Sequence, residues 1–199
     1  LAKGDGTCHC RPGFNGTGCE EGACPPGHFL EYDAKANVYA MAKLYSCTMC
    51  HPGSYKDVAG DDECTACPAG RVTAVYGTSE CDACAAGKFV EAAGEKTCLS
   101  CPAGAYQADN ASITCELCPR GRASTLVGAT ECARCLPGKY IDAEGQLACE
   151  PCSTGKYQGD EGSTGCEACP EGSVAGRPGS ASCTPCDANT HSDANGEAC

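Results

Sequence analysis

Nine Cys-x-x-Cys pairs recur at an interval of seventeen residues, with first cysteines at Cys47, Cys64, Cys81, Cys98, Cys115, Cys132, Cys149, Cys166 and Cys183. Thiols at this spacing support three chemistries. In a tetrathiolate zinc site two pairs converge on one ion, and the thirteen residues between successive pairs fall just short of the zinc-ribbon range of roughly 15–20. Nine pairs cannot be grouped in twos, and Cys24 and Cys199 would be orphaned. A thioredoxin-type redox pair needs a βαβ context and a helix N-terminus that lowers a thiol pKa, and the sequence shows neither.

The third chemistry is oxidation between neighbours. Cys24 pairs with Cys47, Cys50 with Cys64, Cys67 with Cys81, Cys84 with Cys98, Cys101 with Cys115 and Cys118 with Cys132. The series continues with Cys135 to Cys149, Cys152 to Cys166, Cys169 to Cys183 and Cys186 to Cys199. Every cysteine from Cys24 to Cys199 is then used once. Each regular bridge closes a loop of about 15 residues, worth on the order of 3 kcal/mol in the chain-entropy model. Crossed pairings between adjacent repeats stay open, because spacing alone does not settle connectivity.

Composition agrees with the third chemistry. Twenty-three cysteines in 199 residues exceed the roughly 8–10% that marks a disulfide scaffold, which places the chain in an oxidising, extracellular or luminal compartment. With 26 Gly, 12 Pro, 3 Phe and no Trp, turn formers are abundant and bulky apolar material is scarce, so one large core is not expected. A net charge of -12 repels phosphate backbones and anionic membranes. No apolar run approaches a membrane span, and no signal peptide or initiating Met is visible, so the chain reads as a segment of a larger secreted or membrane-anchored protein. Asn15-Gly-Thr17 and Asn110-Ala-Ser112 are N-glycosylation acceptors.

A seventeen-residue unit is too short to bury a core and must be held by its cysteines. Counting the first cysteine of each pair as position one, glycine fills position seven from Gly53 to Gly172, with Asn189 in the last unit. It also fills position fourteen in every unit except at Ala111. Both positions tolerate positive φ. Position nine is aromatic or His at Tyr55, Phe89, Tyr106, Tyr140, Tyr157 and His191, but small or aliphatic at Val72, Ala123 and Val174. A 51-residue superrepeat lies on top of the seventeen. The expected fold is small and disulfide-rich: a linear array of 17-residue disulfide-stapled hairpin-like loops with little regular secondary structure. At about 10 Å per hairpin, nine units make an elongated rod on the order of 90 Å. Each position-nine tyrosine is expected to cover the neighbouring bridge in place of a core.

Three segments follow: 1–23, 24–50 with an irregular insert, and 51–199 with the regular repeats. In the insert, Asp33 could cap a short helix bearing Val38, Met41, Ala42 and Tyr45 at helical spacing. That element either plugs the junction locally or protrudes as a contact site. Acidic residues mark the turn tips at Asp57, Glu91, Asp109, Asp142, Asp160 and Asp193, with Asp61-Asp62-Glu63 the densest run. Single acids per loop suit Asx-turns and solubility better than calcium, which needs six or more converging oxygens. The four histidines, His9, His28, His51 and His191, are scattered, and no nucleophile, base and orienting acid group by motif. We expect no enzyme and no cofactor or metal.

The opening Cys8-His-Cys10-Arg-Pro-Gly13-Phe14-Asn-Gly16-Thr-Gly-Cys19 resembles the last third of an EGF-like domain. That likeness implies a Cys10–Cys19 bond and a partner for Cys8 upstream of Leu1. Units such as Cys98-Leu-Ser-Cys101-Pro102-Ala-Gly104-Ala-Tyr106 resemble the ephrin-receptor-like cysteine-rich repeat, itself similar to the simplest loop of tumour necrosis factor receptor modules. Departures occur where Pro does not follow the cysteine, at Cys50, Cys84, Cys135 and Cys152, and in the last unit, which ends one residue short at Cys199. Such repeats occur in receptor ectodomains, protist surface antigens and structural proteins of algal and protist surfaces. The resemblance, with the strict period, leads to the expectation of a glycosylated extracellular structural protein at the cell surface. It would form a rigid rod in a filament or coat, such as a flagellar hair, through self-association or contacts with other filament subunits. Nucleic acid and direct membrane insertion of this segment are not expected. The alternative is the stalk of a receptor or adhesion protein.

Overall fold

The structure, a computed structural model, describes residues 23–32, 45–188 and 190–199. The EGF-like segment with Cys8, Cys10, Cys19 and Asn15, the insert residues Asp33, Val38, Met41 and Ala42, and Asn189 lie outside the described residues. Ten disulfides join neighbours among the described residues, from Cys24–Cys47 through Cys186–Cys199, with Cα–Cα distances of 5.4 to 5.8 Å. Among the described residues no bridge crosses another in sequence. The chain divides into two compact units. The first comprises Leu1–Cys84, Val90–Leu99 and Ala111–Ile113, the second Ala85–Phe89, Ser100–Asn110 and Thr114–Cys199.

The first described strands of the first unit form an antiparallel ribbon of β1 (His28–Tyr32) and β2 (Tyr45–Met49), with Leu30 opposite Cys47. This corrects one expectation. Tyr45 starts a strand instead of closing a helix, because Cys47 must approach Cys24 and a paired ribbon brings it back. Beyond it, the disulfide loops from Cys50–Cys64 to Cys169–Cys183 are hairpins of two-residue strands, and the last loop, Cys186–Cys199, has no strand among its described residues. In β3 (Ser54–Tyr55) and β4 (Thr65–Ala66), Tyr55 faces Thr65 and Ser54 faces Ala66. The strand partner of positions eight and nine is therefore the x-x of the next Cys-x-x-Cys. Arg71–Val72 pairs with Asp82–Ala83 in the same register, and the second unit repeats it from Ala105–Tyr106 against Glu116–Leu117 onward.

A turn sets up every hairpin. The N–H of position eight donates to the carbonyl of position five, as in Arg122 to Pro119 at 3.0 Å and Ser173 to Pro170 at 3.1 Å. The third residue of that turn is the position-seven glycine, with φ between 76° and 90° from Gly53 to Gly172, the backbone a type II turn demands. The N–H of the following buried cysteine then returns to the glycine carbonyl, Cys135 to Gly121 at 2.8 Å and Cys67 to Gly53 at 2.8 Å.

Within each compact unit successive loops are joined by a fixed set of backbone bonds. In the first, Gly53 N–H donates to Thr73 O at 2.8 Å and Gly77 N–H to Cys50 O at 2.9 Å. In the second, Gly121 N–H donates to Ile141 O at 3.0 Å, Gly145 N–H to Cys118 O at 2.8 Å and Ile141 N–H to Ser163 O at 3.1 Å. One contact reaches past the neighbouring loop. A Cβ added at Gly53 would lie 2.1 Å from the Gly94 carbonyl oxygen, and one at Gly121 would lie 1.9 Å from that of Gly162. From Gly53 to Gly155 position seven thus needs glycine for its φ and again for the backbone seated on it. Position fourteen holds positive φ from Gly77 to Gly196, Ala111 included at 57°. Gly60 is the exception, and it instead exchanges backbone bonds of 3.1 and 3.0 Å with Cys24.

The most buried side chains are those of cysteines: Cys50, Cys67 and Cys84 in the first unit and Cys101, Cys118, Cys135 and Cys152 in the second are essentially inaccessible. Position ten, next to the aromatic position, is also buried in most loops: Lys56, Thr73, Val90, Gln107, Ser124, Ile141 and Ala175 are each under one-tenth exposed.

Candidate functional site

The 51-residue period becomes chemical at position ten. One loop class carries a long polar chain there, Lys56, Gln107 or Gln158. Gln107 Nε2 donates to Thr114 O at 2.8 Å while its Oε1 accepts from Asp109 N–H at 3.0 Å. Gln158 spans its loop in the same way to Gly165 and Asp160, and Lys56 Nζ donates to Gly60 O. A second class carries a small residue. Thr73 and Ser124 hydroxyls accept the N–H two residues on, from Val75 at 3.3 Å and Leu126 at 3.2 Å. Arg71 and Arg122 of that class donate to the carbonyls of Cys81 and Cys132, both at 3.0 Å. The third class buries Val90 or Ile141. Each buried polar chain thus closes its own turn, and no buried side-chain N or O lacks a partner among the described residues.

The position-nine tyrosines are half-buried rather than the centre of a core. Tyr106 donates its phenol to Glu116 Oε2 at 2.9 Å and Tyr157 to Glu167 Oε2 at 3.0 Å, each directly across its hairpin. The hydrogen bond to a carboxylate holds both phenols above the ordinary tyrosine pKa. At Tyr140 the negative charge of Glu150 leads in the same direction.

The sequence-selected acids do not converge. No group of three or more His, Cys, Asp or Glu able to hold a metal occurs among the described residues. Asn110 is exposed, with Oδ1 accepting the Ala86 N–H at 2.9 Å. Asp57, Asp61, Asp62 and Glu63 are all exposed on one loop around Val58.

A surface groove of about 560 Å³ was not visible in the sequence. Ala123, Leu126, Ala133, Leu136 and Leu147 line it, with Glu131, Arg134 and Lys139 at its edge. The signal was present at Ala123, the smallest residue at position nine, where most other loops place a ring. Its floor adjoins the buried cluster of Ala123, Cys135 and Ile141.

Loops of this build, stapled neighbour to neighbour and grouped in threes, define a class of extracellular cysteine-rich repeat. The family model described as "tyrosine-protein kinase ephrin type A/B receptor-like" matches residues 38–84, 87–135 and 138–186. The chain belongs to this ephrin-receptor-like family, a non-enzymatic cysteine-rich domain type, and each match takes in about one 51-residue period. No curated protein matches the chain. Family and disulfide content together support an extracellular receptor-like or structural module, and no described helix is long and apolar enough to cross a membrane.

Proposed function

We propose that this chain is a structural element of a cell-surface filament or coat, with a flagellar hair as the specific case, and that it has no catalytic activity. One observation carries the reading: a single contact rule recurs from loop to loop inside each compact unit. The position-seven glycine takes the backbone of the loop after next, at Gly53–Gly94, Gly70–Ala111, Gly87–Gly128 and on to Gly138–Gly179. A fold in which each loop contacts only near neighbours extends without a growing core. A lattice uses such repetition, whereas a ligand-binding receptor surface departs from it. N-glycans on Asn110 and Asn15 suit an extracellular surface. The family match favours a second reading, the stalk of a receptor or adhesion protein. Negative-stain imaging of the protein released from its native source separates the two. Filaments with an axial repeat support the structural role, and isolated monomers at every concentration support the stalk. Glycosidase-sensitive mass at the peptide bearing Asn110 tests the modification.

A further inference from the structure

We propose that the groove of the middle 51-residue period docks a second copy of this chain, whose acidic loop Asp57–Glu63 is the occupant. The proposal rests on the structural reading above and names the contact that would propagate it.

The groove departs from the repeat that surrounds it. Leu126, Leu136 and Leu147 are 68%, 62% and 51% exposed. The residues 51 positions earlier are Val75, Ala85 and Lys96, and those 51 later are Arg177, Asp187 and Ala198. Three leucines therefore stand in water on one period only. Their side chains surround the hollow left by Ala123, where Tyr106 and Tyr140 occupy the same position in the flanking loops. Exposed apolar side chains gathered around a concavity mark an interaction surface.

Charge selects the partner. Residues 120–139 carry Arg120, Arg122, Arg134 and Lys139 against a single acid, Glu131, in a chain whose net charge is -12. Arg134 and Lys139 stand at the groove itself. Any partner of the same sequence brings an acidic surface to this basic edge, and complementary potentials favour that encounter over like-charged ones. The Asp57–Glu63 loop has the matching form. Val58 is 61% exposed between Asp57 on one side and Asp61, Asp62 and Glu63 on the other. Lys56, the cation beside it, is turned inward onto Gly60 O. The loop is closed by the Cys50–Cys64 bridge and tied at Gly60 to Cys24, so little ordering is left to oppose docking. Val58 enters the leucine-lined hollow while the acids meet Arg134 and Lys139. Because loop and groove are different surfaces, the contact is heterologous and each associated pair keeps one free groove and one free loop, the condition for an open polymer.

The test is sedimentation velocity of the disulfide-bonded chain across concentration at physiological salt. The variants are Arg134→Glu with Lys139→Glu, and separately Asp61→Lys with Asp62→Lys, all at exposed or edge positions. The wild type is expected to form species larger than a dimer. Each double variant alone should raise the midpoint concentration by about tenfold or more. An equimolar mixture of the two should associate again, since each groove then finds a loop of opposite charge. Loss of association in the groove variant but not in the loop variant overturns the proposal, as does a mixture that stays monomeric. A purified wild type that is monomeric throughout also overturns it. Filaments in the native source would still uphold the structural role in that case, so the two failures are distinguishable.

Discussion

Gly121→Ala against Gly172→Ala isolates what the stacking of loops contributes. Both glycines hold the same turn, with φ of 76° and 78°, so a methyl group costs each about 1–2 kcal/mol for a left-handed L-residue. Reduced freedom of the unfolded chain returns about 0.4–1 kcal/mol in both. They differ only in surroundings. The added Cβ at Gly172 meets nothing within 4 Å, whereas at Gly121 it lies 1.9 Å from Gly162 O and 2.6 Å from its carbon. Ordinary contact requires more than 3 Å, so the backbones must part by over 1 Å. The bonds at risk are Gly121 N–H to Ile141 O at 3.0 Å and Gly162 N–H to Cys135 O at 2.8 Å. At about 1 kcal/mol each, Gly121→Ala is expected to lose about 2 kcal/mol more local stability than Gly172→Ala. A global melt is a poor readout, because repeats with local staples open locally. Native-state hydrogen exchange is the assay, with the Gly162 and Gly121 region amides exchanging about 30-fold faster in the first variant than the equivalent amides around Gly172 in the second. Equal acceleration in both would refute the inference that position seven is glycine because backbone sits on it.

Further expectations follow from other positions. Ala111→Gly should slow exchange of the Ala111–Cys84 bonded amide, because a non-glycine at φ 57° carries a cost that exceeds the entropy glycine adds, by up to about 1 kcal/mol. Replacing Gln107 with Ala removes a cross-loop donor and the acceptor for Asp109 N–H; limited proteolysis should detect opening at 107–114 worth about 1–3 kcal/mol, with the Gln158 loop unchanged. Removing the Cys118–Cys132 bridge by paired Ser substitution should cost about 3 kcal/mol locally, read as a new cleavage site confined to that loop. The tyrosine–glutamate pairs work in the alkaline range: phenol pKa values raised in the folded state contribute stability that is complete below tyrosine's ordinary value near 10 and lost as pH rises through the raised values. Absorbance titration of tyrosinate should show the midpoints fall when Glu116, Glu150 and Glu167 become Gln.

The contrast between Gly121 and Gly172 also shows where sequence reading stops. The glycine at position seven was legible as a positive-φ turn, because a turn spans four residues and its demand falls on one of them. That the same glycine receives the carbonyl of a residue 41 positions on was not legible, since nothing within the loop encodes its distance to a loop two units away. The aromatic rhythm of position nine was read as a 51-residue period, yet beside Tyr55, Phe89, Tyr106 and Tyr140 the buried residue is the neighbour at position ten. Ring size drew the reading to Tyr106, while the pleat turns Gln107 inward and leaves the ring half out, bonded to Glu116. The groove escaped for a related reason: Leu126, Leu136 and Leu147 are ten and eleven residues apart, without periodicity of their own, and only the hairpins bring them around Ala123.

By itself the sequence determined the covalent and local part of this protein. The seventeen-residue period, the oxidising compartment and the loops are consequences of cysteine spacing and turn glycines, which act over fewer than twenty residues. Tertiary structure alone decided which face of each hairpin is closed, where loops touch, and that one period in three presents a leucine-lined basic hollow in an acidic chain. Those properties arise from the backbone bonds joining successive loops, such as Gly121 to Ile141 and Gly162 to Cys135. A hydrogen bond between main chains is indifferent to side-chain type, and so leaves no residue pattern from which to read it.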